Sequence, residues 1–222
     1  MHGVIGDILP FALAVTISPI PIVAEILLLF TKKPVANATA YLIGFVVGVA
    51  AVLSILVAVG GHVHLTSSGP SHGAAVLRMV LGAALIVAAV RRFRGRPEHG
   101  EDAPVPKWMD GITGFTPGRS LGVGVVVGAV NPKNIVVGLA AALSIASAGL
   151  STGQQAVVVV IYVVIAVLGV AAPLVVTMAL GKKSADVLEH WKTTLTRNNA
   201  VVMAVLFLIF GVILIGKGIT AG

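Results

Sequence analysis

Cysteine is absent from the 222 residues of this sequence, and charged residues are scarce, at 10% of the chain. Without cysteine the protein has no disulfide, no thiol redox relay and no thiolate metal site, which excludes membrane electron carriers built on cysteine pairs. The chain also lacks the short motifs of zinc hydrolases, serine hydrolases and phosphate-binding loops. We therefore expect no enzyme, no cofactor and no metal site.

Hydrophobic residues are abundant instead, at 57% of the chain, which excludes an ordinary soluble domain. A helix that spans a bilayer needs about 20 mostly apolar residues. Six runs reach or approach that length: 3–30, 36–60, 74–93, 121–148, 154–180 and 200–215. The sequence therefore predicts an all-α integral membrane protein that crosses the bilayer six times.

The net charge of +7 comes from basic residues at the ends of these runs, and they form no stripe with aromatic residues. This distribution argues against nucleic acid as a partner. Arg78 and Lys217 lie on one predicted side of the membrane. The basic residues after the first, third and fifth runs lie on the other: Lys32, Lys33, Arg91, Arg92, Arg94, Arg96, Lys107, Arg119, Lys182, Lys183, Lys192 and Arg197. The positive-inside rule makes this second side cytoplasmic and places both termini outside.

Prolines interrupt the first and fourth runs near their middle, in Ser18-Pro19-Ile20-Pro21 and in Asn131-Pro132-Lys133. When Pro19 is aligned with Pro132, the first three runs overlie the last three, and because three is odd the halves must run in opposite directions. We predict two inverted three-helix repeats, 1–93 and 119–222, joined by a cytoplasmic loop at 94–118. An amphipathic helix at about 184–196 is expected on the cytoplasmic interface. Inverted repeats with interrupted helices indicate a secondary transporter.

Each break has its own backbone chemistry. Proline lacks an amide donor and blocks the bond to the carbonyl four residues back. Carbonyls are therefore expected to be free at both breaks: those of Val15, Ile17 and Gly128. Ser18 and Asn131 are expected to cap the helices that begin at Pro19 and Pro132. The partially positive start of each helix would face a central cavity and suit an anion, while the freed carbonyls suit a cation or water.

Two ionisable residues lie beside these breaks, and a charge at membrane depth costs about 3 kcal/mol or more, which makes both functional candidates. Glu25 and Lys133 are a candidate ion pair, in which protonation of Glu25 would release Lys133 to a substrate anion. The alternative is a static ion pair that holds the two halves together. Asn134 either lines the site or bonds a backbone carbonyl. The candidate substrate- or ion-binding set is Ser18, Pro19, Pro21, Glu25, Asn131, Pro132, Lys133 and Asn134.

The Pro-Ile-Pro and Asn-Pro-Lys segments resemble the paired signatures of the lysine-exporter superfamily, whose members are six-helix exporters with Pro-Gly-Pro and Asn-Pro-Lys at these places. With Leu-Ile-Gly-Phe-Val-Val-Gly at 42–48 and Pro-Lys-Trp at 106–108, the chain more closely resembles the GAP family. That family is named for peptidoglycolipid addressing and includes sulfolipid-addressing proteins of mycobacterial-type cells. The resemblance covers nearly the whole chain, although Ile20 replaces the glycine of the broader signature.

What the resemblance implies is a lysine-exporter-like fold in a bacterial plasma membrane, an export role, and functional importance for Pro19, Pro21, Asn131, Pro132 and Lys133. Three hypotheses remain open. The first is an exporter or flippase-like transporter of envelope lipids or glycolipids, whose transport could be linked to protons. The second is a small-solute exporter of amino acids or cations, and the third is a non-transporting adaptor for a larger lipid-export machinery. A laterally open, apolar groove favours a lipid, a closed polar cavity favours a small solute, and a tightly packed centre favours the adaptor.

Two Gly-x-x-x-Gly elements, at Gly44 and Gly48 and at Gly124 and Gly128, suit close contacts between helices. Such contacts form either within one chain or at the seam of a homodimer, and the sequence does not choose between them.

Overall fold

The computed structural model describes residues 2–62, 72–95 and 107–221. Every element in these ranges is helical: α1 His2–Thr16, α2 Pro19–Leu29, α3 Pro34–His62, α4 His72–Arg94, a 3₁₀ helix Lys107–Gly114, α5 Pro117–Val130, α6 Pro132–Ala146, α7 Thr152–Leu180, a 3₁₀ turn Gly181–Lys183 and α8 Ser184–Ala221. The all-α prediction is therefore confirmed for the described residues. Residues 96–106 of the predicted linker lie outside them.

Both predicted helix breaks are present. The axes of α1 and α2 bend by 48° at the first break, and those of α5 and α6 bend by 56° at the second. Pro19 and Pro132 are the first residues of the helices that follow. Proline is tolerated at this position because the first amides of a helix have no partner within the helix.

Two helical stretches, Pro34–Gly60 and Thr152–Thr220, are long and apolar enough to cross a membrane, and each bent pair adds a further span if it is counted as one. The second stretch contains both α7 and α8, which meet at Gly181, where a positive φ of 55° favours glycine. Length and composition thus support two to four spans in the described part. The count of six and the inverted orientation of the halves remain predictions.

The two Gly-x-x-x-Gly elements face each other within the chain, where α3 packs along α5. A Cβ atom added at Gly44 would run into the backbone of α5, 2.9 Å from the amide nitrogen of Val125. A Cβ added at Gly124 would meet the backbone of α3 in the same way. Of the two alternatives left open by the sequence, the structure thus places these glycines at an intramolecular seam.

The start of α1 and the end of α8 are neighbours. Lys217 Nζ lies 2.7 Å from Asp7 Oδ1 and 5.7 Å from the centre of the Phe11 ring. The two ends of the described chain therefore share one end of the bundle, as expected if the termini lie on the same side of the membrane.

The predicted amphipathic segment 184–196 is helical, but it is the first part of α8 and continues without interruption to Ala221. No proline or glycine lies between it and the last apolar run, so nothing in the sequence ends the helix there. Leu188 is buried, and Trp191 and Leu195 pack partly buried against the core. The position of segment 184–196 at the membrane interface remains a prediction.

Candidate functional site

The second break is capped as predicted. The Asn131 backbone is extended, with φ −63° and ψ 116°, and its Oδ1 accepts a hydrogen bond from the backbone amide of Lys133 at 3.0 Å. Asn134 Nδ2 donates to the carbonyl of Gly128 at 3.3 Å, which is the carbonyl that Pro132 frees. Asn134 thus bonds a backbone carbonyl, while its buried Oδ1 has no partner among the described residues.

The first break differs from the prediction in one respect. Ser18 stands at the N-terminus of α2 with an extended backbone, but its side chain makes no capping hydrogen bond with the described residues. Its backbone amide donates to the carbonyl of Val15 at 3.1 Å, so that carbonyl, predicted to be free, has a partner. The carbonyl of Pro21 accepts from the hydroxyl of Tyr41 on α3 at 3.3 Å.

Lys133 connects the two breaks. Its side chain is 3% exposed, and Nζ donates to the carbonyl of Ala14 at 2.6 Å. In a continuous helix this carbonyl would accept from the amide of Ser18, which instead bonds Val15. The break in the first half therefore exposes the acceptor that holds the lysine of the second half.

Glu25 is fully buried, and neither carboxylate oxygen has a hydrogen-bond partner among the described residues. The predicted pair of Glu25 with Lys133 is therefore not formed. The geometry gives the reason, because Lys133 sits at the first turn of α6 and bonds the last turn of α1, whereas Glu25 lies about 9 Å further along α2 from Pro19, at 1.5 Å per residue. The Tyr41 phenol lies within electrostatic range of the Glu25 carboxyl.

Two cavities of about 600 and about 350 Å³ lie beside the breaks. The larger lies between α4, α6 and α8, and the smaller is bounded by the start of α2, by α5, α6 and α8, and by the end of α4. Both are mainly apolar and both are lined by Arg92, Pro132, Lys133, Asn199 and Phe207. Because they share these residues, they are adjoining parts of one candidate site.

Some of the remaining predicted residues line the smaller cavity and others lie away from both cavities. Ser18 and Asn131 line the smaller cavity. Pro21 lies at the Tyr41 contact, and Glu25 is not among the described residues that line either cavity. The structure thus brings four of the eight predicted residues to the cavities, namely Ser18, Asn131, Pro132 and Lys133. Pro19, Pro21, Glu25 and Asn134 are not among the described residues that line them.

The candidate set predicted from the sequence lacks two residues of this site. Arg92 belongs to a group of arginines after the third run that suits anionic lipid heads, but the topological signal already explains that group. Asn199 stands just before the last run, where no sequence pattern marks it. Asn199 Oδ1 is buried without a partner among the described residues. The larger cavity also contacts one face of α4 through Leu81, Ala84, Leu85 and Ala88, whose three- and four-residue spacing is the only sequence signal for it.

Cationic groups in an otherwise apolar cavity can hold an anion attached to an apolar body, because the walls bury the apolar part and the cations compensate the charge. The bent helices, the buried lysine and these cavities define a helical membrane protein with a ligand-sized site at its helix breaks.

The chain belongs to the sulfolipid-1-addressing protein (Sap) family, whose family model matches residues 8–220. The resemblance to addressing proteins is thereby confirmed, while membership of the wider lysine-exporter superfamily remains a prediction. No curated protein and no solved structure matches the chain.

Proposed function

We propose that this protein is an exporter or flippase-like transporter that helps to move an anionic envelope lipid across the plasma membrane. The name of its family points to lipid export or addressing rather than to catalysis. A sulfolipid carries a negatively charged headgroup. The observation that carries the proposal is that Lys133 and Arg92 share two adjoining cavities with mainly apolar walls.

The size of the cavities limits what they hold. At about 600 and about 350 Å³, they fall within the ordinary range of ligand pockets, about 300–1,000 Å³. They accommodate a headgroup or part of one chain, but not a lipid with several long chains. In this proposal the headgroup enters the cavities and the chains stay in the bilayer.

Lys133 is suited to the headgroup because an ammonium group has three donors, of which one is used among the described residues, by the carbonyl of Ala14. Arg92 adds a second cation from α4, and Asn199 adds an amide from α8. Three helices thus supply polar groups to the same anion, so its binding draws α4, α6 and α8 together.

The proposal includes six membrane crossings in two inverted repeats, with both termini extracytoplasmic. Support comes from the element order, since each half has a bent pair, a long helix and a further helix. Support also comes from packing, because α1 packs on α7 as α5 packs on α3. Arg91, Arg92 and Gly95 line the larger cavity, so in this orientation it opens toward the cytoplasm, where an exporter loads.

The other two hypotheses fit these cavities less well. A small solute favours a closed polar cavity, whereas the walls here are mainly apolar. An adaptor favours a tightly packed centre, whereas two cavities adjoin the breaks. A partnership with larger lipid-export machinery and a homodimer both remain predictions.

The test is lipid translocation by the purified protein in vesicles. Two fluorescent lipids with the same chains, one with a sulfated and one with a zwitterionic headgroup, are compared by the rate at which an external quencher reaches the label. We expect wild type to move the sulfated lipid faster. Lys133→Met should lower that rate by about 10- to 100-fold, since a hydrogen bond to a charged group contributes about 1.5–3 kcal/mol.

The matched control is Lys182→Met, because Lys182 is exposed and does not appear among the described residues that line the cavities. It should translocate at the wild-type rate. Equal rates for wild type and Lys133→Met, or no preference between the two headgroups, would refute the proposed site.

A further inference from the structure

We infer that Glu25 forms a cation site, for a proton or a sodium ion, which is separate from the headgroup cavities and couples an ion gradient to transport. This inference rests on the proposed function, because coupling requires that a cargo be moved.

The burial of Glu25 is the first step. Its side chain is 0% exposed, and both carboxylate oxygens lack a partner among the described residues. An ionised carboxylate that has lost its water and gained no partner is strongly unfavourable in an apolar interior. The carboxyl group therefore holds a proton or a small cation in this conformation.

The ionisable side chains that the structure describes around α2 do not supply that cation. Helix α2 packs against α3, α7, α8 and the 3₁₀ helix Lys107–Gly114. From α3 the neighbour is the Tyr41 phenol, and the only ionisable residue of α7 is Tyr162. The charged residues of α8 lie within 186–197 and at Lys217, which pairs with Asp7. The 3₁₀ helix carries Lys107 and Asp110, whose side chains lie outside those described.

Tyr41 suits such a site. Its hydroxyl donates to the carbonyl of Pro21, so the oxygen keeps its lone pairs for a cation or an acidic proton. Pro21 and Glu25 are four residues apart on α2 and thus lie on the same face of the helix.

The cation site and the headgroup site are connected through the first helix break. Glu25 lies on the short helix α2, which begins at this break, and the carbonyl of Ala14 just before the break accepts a hydrogen bond from Lys133. Loss of the cation would leave an unpaired carboxylate in an apolar interior, which favours a second arrangement of α2. In the inferred mechanism a shift of α2 moves the first break, next to which the carbonyl of Ala14 accepts from Lys133, so the state of Glu25 controls the cation available to the headgroup.

Infrared spectroscopy tests this site on the protein in lipid nanodiscs, without lipid cargo and in sodium-free buffer. At neutral pH wild type should show the C=O stretch of a protonated carboxyl group. Glu25→Gln should lack this band, and Glu189→Gln should retain it because Glu189 is an exposed partner of Lys192. If sodium chloride removes the band and potassium chloride does not, the cation is sodium; if neither does, it is the proton. Identical spectra for wild type and Glu25→Gln would overturn the inference.

Coupling is measured by translocation of the sulfated lipid in vesicles with an imposed pH or sodium gradient. Glu25→Gln resembles the protonated side chain, so we expect a folded protein whose transport no longer responds to the gradient. Gradient-dependent transport by Glu25→Gln at the wild-type level would refute the coupling role and leave the proposed function intact. If the infrared band belongs to Glu25 but neither wild type nor any variant moves lipid, the cation site stands and the proposed function fails.

Discussion

Replacement of Gly124 by alanine tests whether the seam between α3 and α5 holds the second break in place. The added Cβ would run into the carbonyl oxygen of Tyr41 and lie 2.9 Å from the amide nitrogen of Phe45. Both are backbone atoms, which cannot rotate away as a flexible side chain does. Carbon atoms pack at about 3.5–4.0 Å, so α5 must move from α3 by about 1 Å.

The expected cost of this movement is about 1–3 kcal/mol, the usual range for an overpacked interior. Gly122 provides the matched control, because it lies on the same helix and its added Cβ meets no described atom within 4 Å. Alanine in place of glycine favours a helix by about 1 kcal/mol in both variants, so this gain cancels when they are compared. Gly124→Ala should therefore be less stable than Gly122→Ala by about 1–3 kcal/mol.

The assay is equilibrium unfolding in mixed micelles, with sodium dodecyl sulfate as denaturant and circular dichroism as readout. Helix α5 ends at Val130, directly before the break at Asn131, so a displaced α5 also displaces the break. Lipid translocation should therefore fall in Gly124→Ala but not in Gly122→Ala. Equal stability of the two variants would show that α3 and α5 do not approach as closely as described.

Two further substitutions test single polar contacts. Asn131→Ala removes a side-chain cap and should lower the free energy of unfolding by about 1 kcal/mol. Ser18→Ala should lower it by less, because Ser18 makes no capping bond with the described residues. Equal losses for the two variants in the same unfolding assay would contradict this. Asn37→Ala removes hydrogen bonds of 2.8 Å to Thr31 Oγ1 and 3.0 Å to the carbonyl of Phe115. We expect a loss of about 1–3 kcal/mol and faster hydrogen exchange across 107–114, and unchanged exchange would show that this contact does not hold the segment.

Local chemistry made the breaks predictable. The prediction that Pro19 and Pro132 begin new helices needed no knowledge of the fold, because a proline without an amide donor cannot continue the helix before it. The Asn131 cap is equally local, since its acceptor and donor lie two residues apart. Ser18 shows where this reasoning fails, because a capping residue has the capacity for a bond but the surrounding packing decides whether the bond forms.

Long-range pairing was not predictable in this way. Lys133 and Ala14 are 119 residues apart. The candidate pair of Lys133 with Glu25 is not formed, because opposite charge does not fix which groups a rigid helix brings within reach. The same holds for Arg92 and Asn199, which belong to helices separated along the chain and meet only at the cavities.

The sequence by itself determined the membrane character, the places where the helices are interrupted and the family resemblance, because apolar length and proline chemistry act within a few residues. Only the tertiary structure decided that the glycine elements join within one chain and that Lys133 bonds a carbonyl freed by the other half. It also decided that the Glu25 carboxyl group has no hydrogen-bond partner among the described residues. These outcomes depend on how rigid helices pack, since packing sets which distant groups come within hydrogen-bonding distance.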